Sequence, residues 1–405
     1  MKPIVRAGRM KPVHSDIRGP LFVEAMKRQK QGIDILKLNT GNPATFGFGL
    51  PDSIKNALME HRQDGVGYCA FKGMPQARQA ICDYETSKGI KGITPDDVFI
   101  GNGVSEVVSF ALTPLLNDGD EVLVPSPSYS LWGNSVYLED GKPVFYTCDE
   151  KANWYPDIQD IRSKITDKTK AIVIINPNNP TGVLYPKELL LEIIQIAREF
   201  GLLIFADEIY DRLVMDGKQH ISLASLTEDV PVITLNGLSK SHCLCGYRCG
   251  WMVISGPREL TEDYRQVIIQ LTSLRLCANT MAQIVIPAAL DDMETPASMI
   301  RPGGRIYEQR EATVRELEKI NGLSFVKNDA AFYVFPKLDV KKFNITNDKQ
   351  FAHDLLDATN ILLVPGSGFD WKDPDHFRIV MLPQADILSD AIRRMGTFLD
   401  GYKQK

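Results

Sequence analysis

The chain has 405 residues, 44% hydrophobic and 24% charged, with a net charge of −5. That suits a soluble globular protein with a sizeable core: about two or three domains, or one large α/β domain with a satellite. No Lys/Arg block marks a nucleic-acid footprint, and no apolar run reaches the roughly 20 residues that span a bilayer. Met1 to Ile17 lacks an apolar stretch, so no secretory signal is expected. Seven cysteines, an odd count, point to reduced thiols in a cytoplasmic compartment.

Apolar residues at helical spacing predict a helix from Arg18 to Gly32. A loop of Asn39, Thr40, Gly41, Asn42 and Pro43 follows, in which Gly41 reads first as a turn glycine and second as a close approach to a ligand. A helical stretch is expected from Pro51 to Gly65. Val98 to Ile100 is a short strand that runs into Gly101-Asn102-Gly103-Val104-Ser105-Glu106 and a helix from Val107 to Leu116. Strand, glycine turn and helix start form an anion site; Glu106 replaces the third glycine of a dinucleotide fingerprint, so a single phosphate is the better guest.

Glu121 to Val124 and Pro143 to Thr147 read as strands, the first leading to Tyr129. Ala171 to Ile175 is a continuous β-branched run ending in Asn176-Pro177-Asn178-Asn179-Pro180-Thr181-Gly182. Lys187 to Phe200 then reads as a helix closed by Gly201, and Leu202 to Ala206 as a strand ending in Asp207-Glu208-Ile209-Tyr210. Strand, helix and strand with short joints make a parallel βαβ unit. Val232 to Leu235 is another buried strand, followed by Gly237-Leu238-Ser239-Lys240, then Arg248 and the strand Gly250 to Ile254. Cys243, Cys245 and Cys249 do not follow a standard zinc spacing, so packed thiols are expected and no metal. Beyond about Leu290 come an amphipathic helix, Arg305 to Ile320, short strands at 323–326, 331–335, 361–364 and 377–381, and a final helix.

Ligands bind at the C-terminal ends of parallel strands. The Gly103 turn, Tyr129, Asn179, Asp207 and Lys240 all follow strands, so one edge collects an anion cradle, an aromatic ring, an amide, a carboxylate and a lysine. A lysine in dry surroundings can lose its proton and attack an aldehyde, and an arginine fork suits a phosphate. Aldehyde and phosphate together indicate pyridoxal 5'-phosphate. Asp207 then faces the ring nitrogen, and Asn179 and Tyr210 donate to the ring oxygen. The Tyr129 ring stacks, and Gly103, Val104, Ser105, Arg248 and Ser239 hold the phosphate. Lys240 moves the substrate's α-proton.

These motifs resemble the class I and II aminotransferases of fold type I over nearly the whole chain: N-P-N-N-P-T-G, A-D-E-I-Y, G-L-S-K and G-Y-R-C-G-W. The resemblance implies an α/β fold with a mostly parallel sheet in a large domain, 50–290, and an α+β small domain, 291–405, joined by the N-terminal segment, 1–49. It implies that Arg378 grips the substrate α-carboxylate, with Gly41 and Asn179 also at the substrate. It implies that Tyr68 reaches the neighbouring subunit's phosphate in a homodimer. Gly237 stands where some members carry a phosphate-binding serine, so that role moves to Ser239. The particular motifs are most similar to bacterial alanine (glutamate–pyruvate) aminotransferases. They imply transfer of the alanine amino group to 2-oxoglutarate in a ping-pong cycle through pyridoxamine phosphate, with Arg18 and Arg275 as candidates for the distal carboxylate. An aminotransferase for aromatic or branched-chain amino acids, or a C–S β-lyase, shares the same cofactor residues.

Overall fold

The computed structural model describes residues 3–405; Met1 and Lys2, the start of the N-terminal segment, lie outside it. In chain order the strands are β1 (Leu36–Lys37), β2 (Val98–Asn102), β3 (Glu121–Ser126), β4 (Lys142–Asp149), β5 (Tyr155–Pro156), β6 (Thr169–Ile175), β7 (Leu203–Asp207), β8 (Val232–Gly237) and β9 (Cys249–Ser255). β2 to β9 form one eight-stranded sheet in the order β2-β9-β8-β7-β6-β3-β4-β5. The neighbours β8, β7, β6, β3 and β4 are parallel, as the βαβ pattern predicts. β9 runs against both β8 and β2. The fold is α/β.

Every residue of β3, β8 and β9 is buried, which is why these segments read as unbroken apolar runs rather than alternating ones. Alternation survives inside the core. Ala171, Val173 and Ile175 of β6 join Phe205 and Ile233 on one face, while Ile172 and Ile174 join Ile204 and Val232 on the other. The helix Lys187–Phe200 seals the second face with Leu190, Ile193, Ile194 and Ala197, and Gly201 ends it at φ 65°, a left-handed position suited to glycine.

The C-terminal strands are short: β10 (Leu323–Ser324), β11 (Tyr333–Val334), β12 (Lys337–Leu338), β13 (Ile361–Leu362), β14 (Val364–Pro365) and β15 (Phe377–Val380). β15 lies between β11 and β14, antiparallel to both. β1 pairs with β13 in parallel, and Leu38 enters a core otherwise built from residues 317–399.

The longest helices that were not anticipated are Pro75–Ser87, Asp348–Thr359 and Leu131–Leu138. In Pro75–Ser87 only Ala77, Ile81, Cys82 and Glu85 are buried, too sparse an apolar stripe to stand out. The helix after the Gly103 turn also starts earlier than expected, at Val104, and ends at Leu112.

That first helix carries a structural charge cluster. Lys88, just past its end, places Nζ 2.7 Å from Glu85, 2.8 Å from Glu208 and 3.1 Å from Asp211. Tyr84 and Asn236 donate to Asp211 at 2.6 and 2.7 Å, and Trp251 donates to Glu85 at 3.1 Å. The cluster pins the segment that leaves β7, on which Tyr210 sits. Burial is the largest influence on Asp211 and would raise it, but Lys88, His220, the Tyr84 hydrogen bond and Arg212 together hold it below the usual carboxylate range, while burial lifts Glu85.

Lys88→Met removes the cation and leaves three buried carboxylates. We expect a loss of about 3–5 kcal/mol at neutral pH. In the variant the carboxylates will be raised above their unfolded values of about 4. The extra protonation stabilises the fold most at low pH and is lost as pH rises through the raised values. Thermal unfolding should therefore show a smaller deficit near pH 5.5 than near pH 8; an equal deficit at both would contradict this account of the cluster.

Candidate active site

The site lies at the C-terminal edge of the parallel strands. β7 contributes Asp207, its last residue, and β8 leads through Gly237 into the short helix Leu238–Ser241 that carries Ser239 and Lys240. Antiparallel β9 begins at this same edge, opposite the ends of β2 and β8: Cys249 pairs with Asn102, and Gly250 with Gly237. Arg248, immediately before β9, is thereby brought to the turn after β2.

At that turn Gly103 has φ 85° and caps the helix Val104–Leu112 with no side-chain cap, leaving the helix start to offer the Val104 and Ser105 amides. A Cβ on Gly103 would sit 2.3 Å from the Arg248 guanidinium, and one on Gly250 would sit 2.4 Å from the Val104 nitrogen. Two missing side chains thus let an arginine and a helix N-terminus share one small space. Glu106, the residue that spoils the dinucleotide pattern, folds back to accept from the Asn102 backbone N–H at 2.7 Å and its amide at 2.9 Å. Arg275 pairs with Glu106 and donates to the Phe71 and Ile100 carbonyls, so its guanidinium is engaged in structure. Arg18 is exposed.

Asp207 is 5% exposed, and burial pushes its carboxyl up to about 6 against the opposing hydrogen bond from Trp132. The Trp132 indole N–H donates to Asp207 Oδ2 at 3.1 Å. Sequence reasoning passed over Trp132. Its signal was available: a buried indole N–H needs an acceptor, and Trp132 lies three residues past Tyr129.

Lys240 Nζ donates to the Gly41 carbonyl at 3.0 Å and lies 3.9 Å from Cys245 Sγ. Dry surroundings were expected to strip its proton. Burial does push that way and is the largest single influence, but Tyr333, Cys245 and Tyr129 together reverse it, so the net shift is upward. Lys240 in this arrangement is an ammonium at neutral pH.

Gly41 also departs from the leading expectation. It is not a turn glycine with positive φ. A Cβ there would lie 2.2 Å from the Tyr333 hydroxyl and 2.9 Å from the Phe332 ring, so close approach is the reason for glycine.

Arg378 on β15 is 1% exposed and sandwiched between the rings of Tyr333 and Phe369, at 4.5 and 4.6 Å. It donates to Asn179 Oδ1 at 3.0 Å and to the Asn39 carbonyl. Its Nε–H has no partner among the described residues. Tyr210 is buried, its hydroxyl 2.8 Å from that of Tyr333. Tyr68 is the outlier: it is 84% exposed. The thiols Cys243 and Cys249 are buried, while His242 binds Ser241 and the Asp292 carbonyl, away from any thiol cluster.

A profile of the aminotransferase class I and II family matches residues 33–392. The chain belongs to this family. It is 50% identical over 404 residues to the glutamate-pyruvate aminotransferase AlaA of Haemophilus influenzae, with both chains fully covered. It is 44% identical to the alanine aminotransferase of Mycobacterium tuberculosis, covering all of this chain and 94% of that one. Among solved structures it superposes on an aminotransferase from Escherichia coli with a TM-score of 0.98 at 47% identity and full coverage of both chains. The corresponding figures for an alanine aminotransferase from Pyrococcus furiosus are 0.93 and 40%, over 98% of this chain and all of that one. The chain is therefore an aminotransferase with the fold type I architecture.

Within this aminotransferase site, Gly237 stands where a phosphate-binding serine was weighed. A Cβ there would come 2.5 Å from the Cys249 carbonyl oxygen and 3.0 Å from Gly250 Cα. We therefore expect Gly237→Ser to cost about 1–3 kcal/mol by overpacking, read as a lowered midpoint in urea. A variant as stable as the parent would mean that the β8–β9 contact can yield.

Proposed function

We propose that this aminotransferase carries the amino group of L-alanine to 2-oxoglutarate, giving pyruvate and L-glutamate, with pyridoxal 5'-phosphate as cofactor. The observation that carries the cofactor assignment is one edge holding a lysine amine, a buried carboxylate and a phosphate-sized cradle. The residues fit the group. The Gly103 cradle and Arg248 suit its phosphate, with Ser239 adjacent. Asp207, anchored by Trp132, suits a protonated ring nitrogen, and Tyr129 suits the ring face. When bound, the cofactor's ring withdraws electrons from the substrate's α-carbon.

The chain's own groups do the rest. Lys240 Nζ, after giving up its ammonium proton, would hold the cofactor's aldehyde carbon with loss of water; displaced by the substrate's amine it would be a free amine, able to take the proton from the substrate's α-carbon. Asp207 would keep the ring nitrogen charged, and that positive charge would in turn favour the ionised form of a carboxyl that burial, against the Trp132 hydrogen bond, has raised to about 6. Asn179 and Tyr210 would donate to the ring oxygen. The unpartnered Nε–H of Arg378, beside its bond to Asn179, suits one oxygen of an α-carboxylate, and the Tyr333–Phe369 sandwich fixes the plane of the guanidinium. The choice of alanine and glutamate rests on the names of the relatives at 44–50% identity.

The same reading divides the chain at residues 49 and 290, with the first segment joined to the C-terminal unit through β1 and Leu38. It also makes the protein a homodimer. Tyr68 projects into solvent beside the exposed Val66, and Leu274 and Leu276 are likewise bare; a second copy would cover Tyr68 and bring it to the neighbour's phosphate. Seven unbridged cysteines suit a reducing, cytoplasmic setting, and no helix among the described residues is long and apolar enough to cross a membrane.

The deciding experiment is the visible spectrum of the holoenzyme. L-Alanine should bleach the band and release pyruvate, 2-oxoglutarate should restore it, and Lys240→Ala should lack the band. A band indifferent to alanine would overturn the substrate assignment. Pyruvate and ammonia from cystathionine with no keto acid would instead mark a β-lyase. For the dimer, Tyr68→Phe should weaken cofactor retention in dialysis by about tenfold, the effect of one charge-assisted hydrogen bond, while sedimentation still reports two subunits. Retention equal to the parent would remove Tyr68 from the cofactor site.

A further inference from the structure

Tyr333 touches both Tyr210 and Arg378 of the site. Its hydroxyl lies 2.8 Å from that of Tyr210, and neither hydroxyl has another hydrogen-bond partner among the described residues. Both side chains are 2% exposed. Two neutral phenols bring two protons, and only one can lie between the oxygens. If Tyr210 donates, its proton is consumed inside the pair. If Tyr333 donates, the Tyr210 proton is free to point elsewhere.

The surroundings choose. Tyr333 has the Arg378 guanidinium over its ring at 4.5 Å and feels the Lys240 ammonium as well. Tyr210 feels Arg378 too, but also the Asp207 carboxylate, which works the opposite way. A hydroxyl oxygen gains negative charge when it donates, and the guanidinium over the Tyr333 ring together with the Lys240 ammonium favours that charge on Tyr333, so Tyr333 is the donor. The missing side chain of Gly41 makes room for its hydroxyl, since a Cβ there would lie 2.2 Å from it.

We infer that Tyr333 is a positioning residue that donates to Tyr210 and so frees the Tyr210 proton for the ring oxygen of the cofactor. Because the same phenol stacks on Arg378, the group that grips the carboxylate and the group that tunes the cofactor oxygen share one side chain. This inference rests on the proposed pyridoxal phosphate.

The test is the pH midpoint of the visible band in the holoenzyme without substrate. Four proteins are compared: the parent, Tyr210→Phe, Tyr333→Phe and the double variant. Removing a donor from the ring oxygen makes that oxygen hold its shared proton more tightly, so the midpoint should rise in Tyr210→Phe. Tyr333→Phe should raise it in the same direction by about 0.5–1 pH unit, the scale of one hydrogen bond. The double variant should match Tyr210→Phe alone, because the effect passes through Tyr210. Phenylalanine keeps the ring against Arg378, so a residue that only packs would leave the midpoint untouched. A parental midpoint in Tyr333→Phe, with Tyr210→Phe shifted, overturns the inference and spares the cofactor assignment. Additive shifts in the double variant also overturn it. No pH-dependent band in the parent sinks the cofactor assignment, and this inference with it.

Discussion

The direction in which five strands of the large sheet run decides where Asn179, Asp207, Lys240 and Arg248 lie. β6, β7 and β8 run in parallel, so Asn179, Asp207 and Lys240 emerge on one edge. β2 is parallel to them by way of antiparallel β9, and the start of β9 returns Arg248 to that edge. Backbone hydrogen bonds fix this register, and each strand's burial makes a slip costly, because one residue of shift would turn its side chains to the wrong face. The site is thus a consequence of how the sheet is ordered.

Burying charge is the second constraint, and the protein meets it with matched partners. Lys88 answers three carboxylates behind β7, and Arg378 is held between two aromatic faces with an amide and a carbonyl on its fork. Two groups of the site are less fully matched. Asp207 is a buried carboxyl with an indole and a weak backbone bond as its only donors, and Arg378 retains an unpartnered N–H. A buried polar group without a partner costs free energy.

Close backbone approach is the third. Gly41, Gly103, Gly237 and Gly250 each occupy a point where a Cβ would strike a phenol, a guanidinium, a carbonyl or a helix amide. Only Gly103 among them needs its left-handed φ. The other three are glycines for space, which a turn-based reading of sequence does not register.

The unbroken apolar runs and the βαβ spacing were legible because burial on both faces and a 3.6-residue period leave local traces. From them followed the α/β class, the parallel core of the sheet, and the strand ends that carry Asp207, Asn179 and Lys240. The family motifs are local too, so the resemblance rested on the same stretches. The helix Pro75–Ser87 escaped because its apolar stripe is thin, and Trp132 and Tyr333 escaped because nothing in their neighbours names their partners. Those partners, Asp207 at 75 residues' separation and Tyr210 at 123, are set by packing. The proton on Lys240 escaped for the same reason: burial is readable from an apolar run, but the phenols and thiol that outweigh it arrive from distant parts of the chain. The sequence by itself determined which elements form and which reactive groups end them. Only the tertiary structure decided which groups touch and how they titrate, because distances between remote residues have no local signature.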